Sequence, residues 1–263
     1  MVLWTQQHID TLIPSFSVML VLGFLLRMFL RKKSEKIRMI PFQICAVIIV
    51  VLEIIKQVKS YQNGYDLYHI PLHFCSLFIF MLPLMAFYNG KHKYVVRAIT
   101  TDICAALFIF MAVYPDLIYG AWNIENFFKG FFDFHTVAFH TVATFTFVLI
   151  VALDLHKPDY KRDAKAIFIF IACYCVIAAS MAQILQTNFN NFYQCNIAPL
   201  QAVKMSLEPV LGATITQILY VLIVCVLDLA FTQIVYFIYR ILRSPLRRGE
   251  DVRDEYDVLY DED

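Results

Sequence analysis

Charge is scarce in this chain: Asp, Glu, Lys and Arg make up 16% of its 263 residues, where a soluble domain carries about a quarter. With 60% apolar residues, against roughly 45–50% in ordinary domains, the shortage excludes a disordered chain. A net charge of +1 gives no reason to expect nucleic acid as a partner. There is no Gly-rich phosphate loop, no Walker or Rossmann pattern and no repeat of roughly 20–50 residues, so nothing points to nucleotide use. The seven cysteines lack a disulfide framework. Cys45, Cys104, Cys173, Cys175 and Cys225 lie inside apolar stretches, where free Cys behaves as a small hydrophobe. Cys195 sits in a loop.

What the chain has instead is apolar length. A bilayer core of ~30 Å needs about 20 mostly apolar residues per helix, and seven stretches qualify: 11–30, 38–55, 70–87, 95–114, 131–153, 166–186 and 210–242. The expected fold is therefore all-α: a seven-helix transmembrane domain over residues 1–248, followed by an acidic, solvated and flexible extension over 249–263. That extension carries eight acids and one Arg, with little to bury. The first stretch does not read as a signal peptide, because its basic residues follow it instead of preceding it.

Placing the basic residues on alternate sides tests the layout. Segments 27–38, 91–97, 157–165 and 240–253 put 18 of the 22 Lys and Arg on one side. Lys56, Lys59, Lys129 and Lys204 are left on the other. This asymmetry predicts an outside N-terminus and a cytoplasmic C-terminus.

Topology then assigns depth to the polar residues, which are costly in lipid and usually face the bundle interior. Glu53 closes span two on the outer side, and His73 and Cys75 open span three. His135 and His140 fall in the outer half of span five. Gln183 ends span six with Asn188 just beyond it, and Gln217 lies in the outer half of span seven. Together they predict an outer-half polar pocket. Asp102 and Asp228 lie deeper and do not obviously belong to it. Asp133, Thr136, His140 and Thr144 share a helical stripe, whereas His135 sits about 140° from His140. The blander reading is that such groups only join helices by hydrogen bonds.

Pro71-Leu72-His73-Phe74-Cys75, following Glu53 and a short loop, resembles the bacterial YwaF-type integral membrane family. Tyr114-Pro115-Asp116, the His140 region and Gln186-Thr187-Asn188-Phe189 are similar as well. That family is similar to a eukaryotic TMEM-type protein regarded as a cysteine-dependent phospholipid acyltransferase. The resemblance implies acyl transfer between membrane lipids in a bacterial cell membrane, with Cys75 as nucleophile and His140 or His135 as base. Glu53, His73, Gln183, Asn188 and Gln217 are the candidate pocket or orienting groups. No cofactor is implied. Two alternatives stand beside this reading. One is a metal-dependent membrane hydrolase drawing on His73, His135, His140, Glu53 and Cys75, which form no recognised metal motif. The other is a transporter or small-molecule-binding subunit, with Asp102 and Asp228 continuing a path inward.

Overall fold

The computed structural model describes residues 4–195 and 198–260, with side chains described over 4–195 and 200–243. Among the described residues the chain forms helices and short 3-10 turns only. In order the helices are α1 (Gln6–Leu30), α2 (Glu35–Arg38), α3 (Ile40–Gln62), α4 (Leu77–Phe87), α5 (Lys93–Val113), α6 (Ala121–Glu125), α7 (Phe131–Ala152), α8 (Tyr160–Leu185), α9 (Ala198–Leu211) and α10 (Ala213–Tyr260).

Six helical stretches are long and apolar enough to cross a membrane, α2 and α3 counting together as one. Their outward faces are apolar: Val18, Phe24, Met28 and Phe29 of α1 are all more than half exposed. An apolar exterior of this kind suits a lipid surround and not water. α5 is the centre of the bundle, with 72% of its most apolar window buried against 17% for α1. It packs on α4, α7, α8 and α10.

The expected third span differs from its prediction. Stretch 70–87 is helical only from Phe74, as a 3-10 turn (Phe74–Ser76) leading into α4. α4 has 11 residues, which is about 16 Å of helix, or roughly half a bilayer core. Pro71 supplies the physical reason: it disfavours helical geometry at the residue before it and cannot donate to a helical ladder. The seventh stretch begins later than expected, because Gly212 at φ +79 separates α9 from α10. Glycine adopts this left-handed backbone without steric cost. Beyond residue 248, in the expected acidic extension, the backbone is helical as far as Tyr260. Residues 261–263 of that extension lie outside the described residues.

The basic end of the bundle is tied together at Asp154. Arg27 and Arg31 of α1 and Arg243 of α10 reach its carboxylate at 3.2, 3.0 and 2.6 Å. Arg27 and Arg38 also donate to the carbonyls of Ala152 and Leu153. These carbonyls end α7, where no further turn exists to accept them and where the helix dipole favours cations.

Candidate functional site

Glu53, Lys56, Gln57 and Ser60 follow one another at helical spacing, so one face of α3 carries all four. One oxygen of Glu53 accepts from Gln57 Nε2 at 2.6 Å and from Lys56 Nζ at 2.8 Å. Its other oxygen lies 3.5 Å from His135 Nε2 on α7, outside hydrogen-bonding geometry, so that contact is electrostatic. Gln57 also donates to the His69 carbonyl at 2.8 Å and accepts from Tyr65 Oη at 2.8 Å. Ser60 Oγ meets His69 Nδ1 at 2.7 Å. The loop after α3 is thus folded back onto its own helix, turning at Gly64 with φ +93.

From there the chain runs into the bundle without helical bonds. The Leu72 carbonyl accepts from Tyr174 Oη of α8 at 3.1 Å. His73 Nε2 donates to the Tyr68 carbonyl at 3.1 Å, and its ring packs on those of Tyr68 and Phe189. The 3-10 turn that follows carries Cys75, half-buried, immediately before α4. Gln43 of α3 donates to the Ala86 carbonyl of α4, which fixes the level of one helix against the other. Ten residues from that contact, about 15 Å along each axis, lie Glu53 on α3 and Ser76 beside Cys75. Cys75 accordingly interacts electrostatically with both Glu53 and Lys56.

α7 supplies both histidines. His140 Nδ1 lies 2.7 Å from the Thr136 carbonyl. A carbonyl only accepts, so Nδ1 carries the proton and Nε2 is the basic nitrogen of the neutral ring. His140 interacts electrostatically with His135, His73 and Lys56. His135 and His140 are both 7% exposed, as is Glu53. The sequence stripe around His140 does not form one polar channel. Asp133 accepts from Asn123 at 2.9 Å, and the Thr136 hydroxyl is spent on the Phe132 carbonyl.

A second loop dips in after α8, which ends at Gln186 in the left-handed conformation. Gln183 Nε2 donates to the Phe192 carbonyl at 2.8 Å. Gln217 Nε2 donates to the Phe192 and Tyr193 carbonyls, both at 3.2 Å, and Asn188 Oδ1 accepts from the backbone of Tyr193 and Gln194. These three expected pocket residues therefore join one another around the loop. Asn190 goes deeper: its amide reaches Asp228 Oδ2 of α10 at 2.6 Å, beside the Cys175 thiol. Asp228, which the sequence left apart, is joined to this loop in this way. Non-helical backbone at membrane depth is tolerated only where protein buries it or water lines it. The two loops touch each other at His73 and Phe189.

Sequence reasoning assembled Glu53, Cys75, His135 and His140 at one level; the structure sets Glu53 3.5 Å from His135 and places Cys75 and His140 each within electrostatic reach of Lys56. It missed Lys56, Gln57 and His69, although the spacing of Lys56 and Gln57 from Glu53 was a usable signal. Among the described residues no three His, Cys, Asp or Glu side chains converge closely enough to hold a metal ion. The donors considered for a zinc site are distributed along the two loops and α7 instead. Asp102 is buried in α5, and neither carboxyl oxygen has a hydrogen-bond partner among the described residues.

A model described as the TMEM164 family matches residues 3–239 of the chain. No curated protein and no solved structure matches it. The match carries neither the YwaF label nor an activity, and it says nothing of a bacterial host.

Proposed function

The chain belongs to the TMEM164 family, and from that premise we propose that this multi-pass membrane protein moves a fatty acyl chain between lipids through a thioester on Cys75. The supporting observation is the position of Cys75. It opens a half-length helix at the end of a loop that enters the bundle, level with Glu53 and Lys56. A thiol in such surroundings needs a base to become nucleophilic. His140, with its proton held on Nδ1 by Thr136, offers Nε2 for that purpose.

In the reaction His140 Nε2 takes the Cys75 proton, and the sulfur attacks the ester carbonyl of a donor lipid. The tetrahedral intermediate collapses to an acyl-cysteine thioester. The leaving lysolipid alkoxide recovers the proton from His140. The hydroxyl of an acceptor lipid, activated by the same nitrogen, then attacks the thioester and returns the thiol. Water as acceptor would give hydrolysis. Glu53 faces His135 and orients that ring, while Lys56, ion-paired to Glu53 at 2.8 Å, places a cation within electrostatic reach of the thiol. A carbonyl near the interface suits a site in the half of the bundle away from the basic end.

The test follows a labelled acyl lipid with the purified full chain in lipid. Cys75→Ala is expected to abolish both acyl turnover and a hydroxylamine-sensitive label on the protein. His140→Ala is expected to slow turnover by about 10²–10⁴-fold, the range for removal of a general base. Unchanged turnover in Cys75→Ala would overturn the reading. A larger loss in His135→Ala than in His140→Ala would exchange the roles of the two histidines.

A further inference from the structure

At the opposite end of the molecule from Cys75, the loop between α7 and α8, the start of α8 and Arg240 of α10 form an open cavity of about 320 Å³ lined by Lys157, Pro158, Asp159, Tyr160, Arg162 and Arg240. Three cations face one carboxylate there. That volume falls within the ~300–1,000 Å³ of ordinary small-ligand sites.

The charges of this cavity are largely available. Asp163, just beneath, is fully buried. Arg162 Nε donates to one of its oxygens at 2.6 Å. The other takes the Asp159 amide at 2.8 Å and Tyr236 Oη at 3.1 Å, with His156 Nε2 also at 3.1 Å. Asp163 is therefore satisfied from below and fixes the Arg162 guanidinium, whose remaining N–H groups stay outside that contact. Arg240 lies over the Tyr160 ring at 4.9 Å, which holds its planar group at the rim. Among the described residues neither Lys157 nor Arg240 has a carboxylate within ion-pair distance. Two guanidinium groups and an ammonium around one opening match the several oxygens of a phosphate, which arginine engages through paired N–H donors. The first turn of α8 adds the positive end of a 26-residue helix, where the Asp159 side chain already accepts the Arg162 amide and leaves the Tyr160 and Lys161 amides outside that cap. The opening lies at the bundle end that carries most of the basic residues, beside the loop that joins α7 to α8.

We propose that this cavity binds a phosphate group, from an anionic phospholipid head group or from a soluble phosphate, and that Lys157, Arg162 and Arg240 are its ligands. This site is separate from the Cys75 region and does not depend on the activity proposed there.

The experiment measures thermal unfolding of the detergent-solubilised full chain. One series titrates inorganic phosphate. A second titrates mixed micelles of phosphatidylglycerol and phosphatidylcholine against phosphatidylcholine alone. Stabilisation by phosphatidylglycerol without an effect of phosphate assigns the site to a lipid head group; stabilisation by phosphate as well assigns it to a phosphate ligand from either source. Arg240→Gln and Lys157→Gln are each expected to weaken the effect at least tenfold. Lys32→Gln, an equal charge loss on the same side outside the cavity, is expected to change it less than twofold. Lys157 is exposed on the loop, so its variant carries the test should Arg240→Gln misfold. Absence of stabilisation by either ligand would overturn the proposal. So would an equal loss in Lys32→Gln, which would show diffuse attraction instead of a site.

Discussion

At the scale of single residues, the second inserted loop depends on Asn190. Its φ of +47 lies in the left-handed region, which Asn tolerates better than other non-glycine residues. Its amide donates to Asp228 Oδ2 at 2.6 Å, and the Cys175 thiol lies 4.0 Å from the same oxygen. Asn190→Ala removes both advantages. Loss of the hydrogen bond at a partly buried carboxyl costs about 1–3 kcal/mol, and the left-handed alanine adds roughly 1 kcal/mol. Asn190→Gly should lose only the first part. Coupled groups do not add, so Asp228→Leu in the Asn190→Ala background is expected to cost much less than the two changes summed. Thermal unfolding of the four variants in detergent checks this, and simple additivity would show that the contact contributes nothing.

Among the elements, α1 and α7 meet at a position with no room for a side chain. A Cβ built on Gly23 would lie 2.6 Å from Val148 Cγ1. Valine is stiff at χ1, so the neighbour cannot swing away and the helices must separate. Overpacking of this kind costs about 1–3 kcal/mol. Against it, Ala gains roughly 1 kcal/mol over Gly in a helix interior, and the clash is the larger effect. Gly23→Ala is therefore expected to lower stability by about 1 kcal/mol, and Val148→Ala introduced alongside should restore part of that loss. An unfolding midpoint at or above the parent value for Gly23→Ala alone would contradict the packing argument. The same scale explains the candidate site. Half-helix α4 exists because Pro71 breaks the expected span, and the break leaves Cys75 at the start of a helix and away from a lipid-facing flank.

Across the whole molecule, the two ends of the bundle are chemically distinct. The basic end is closed by Asp154, which draws α1 and α10 onto the end of α7. Burial pushes the Asp154 carboxyl up, but the hydrogen bond and charge of Arg243, with Arg27 and Arg31, outweigh it and hold the carboxyl below the usual carboxylate range. A depressed acid stabilises the fold fully above its unfolded value of about 3.9, and that stabilisation is lost as pH falls through the lower folded value. Asp154→Asn should cost about 2 kcal/mol at neutral pH. This is below the roughly 3–5 kcal/mol for breaking a fully buried pair, because the Arg27 and Arg31 side chains are 30% and 38% exposed. The gap between parent and variant is expected to persist at neutral pH and to close in strong acid. A gap independent of pH down to strong acid would remove Asp154 as its source.

Composition and spacing by themselves determined an all-helical membrane chain, the sidedness of its basic residues as an expectation, and the residues worth suspecting: Glu53, Cys75, His135 and His140. Apolar length and charge placement are local properties that water and lipid act on directly, so they can be read from order alone. Only the tertiary structure decided that stretch 70–87 enters as a loop and half-helix, and that Glu53 faces His135. It also decided that Gln183, Asn188 and Gln217 hold a loop in place, and that Asp228 is met by Asn190 from that loop. Each of these depends on which buried polar group finds a partner across helices far apart in sequence. That choice is made by packing in a medium without water, where every unpaired group is costly and where no periodicity along the chain announces the partner.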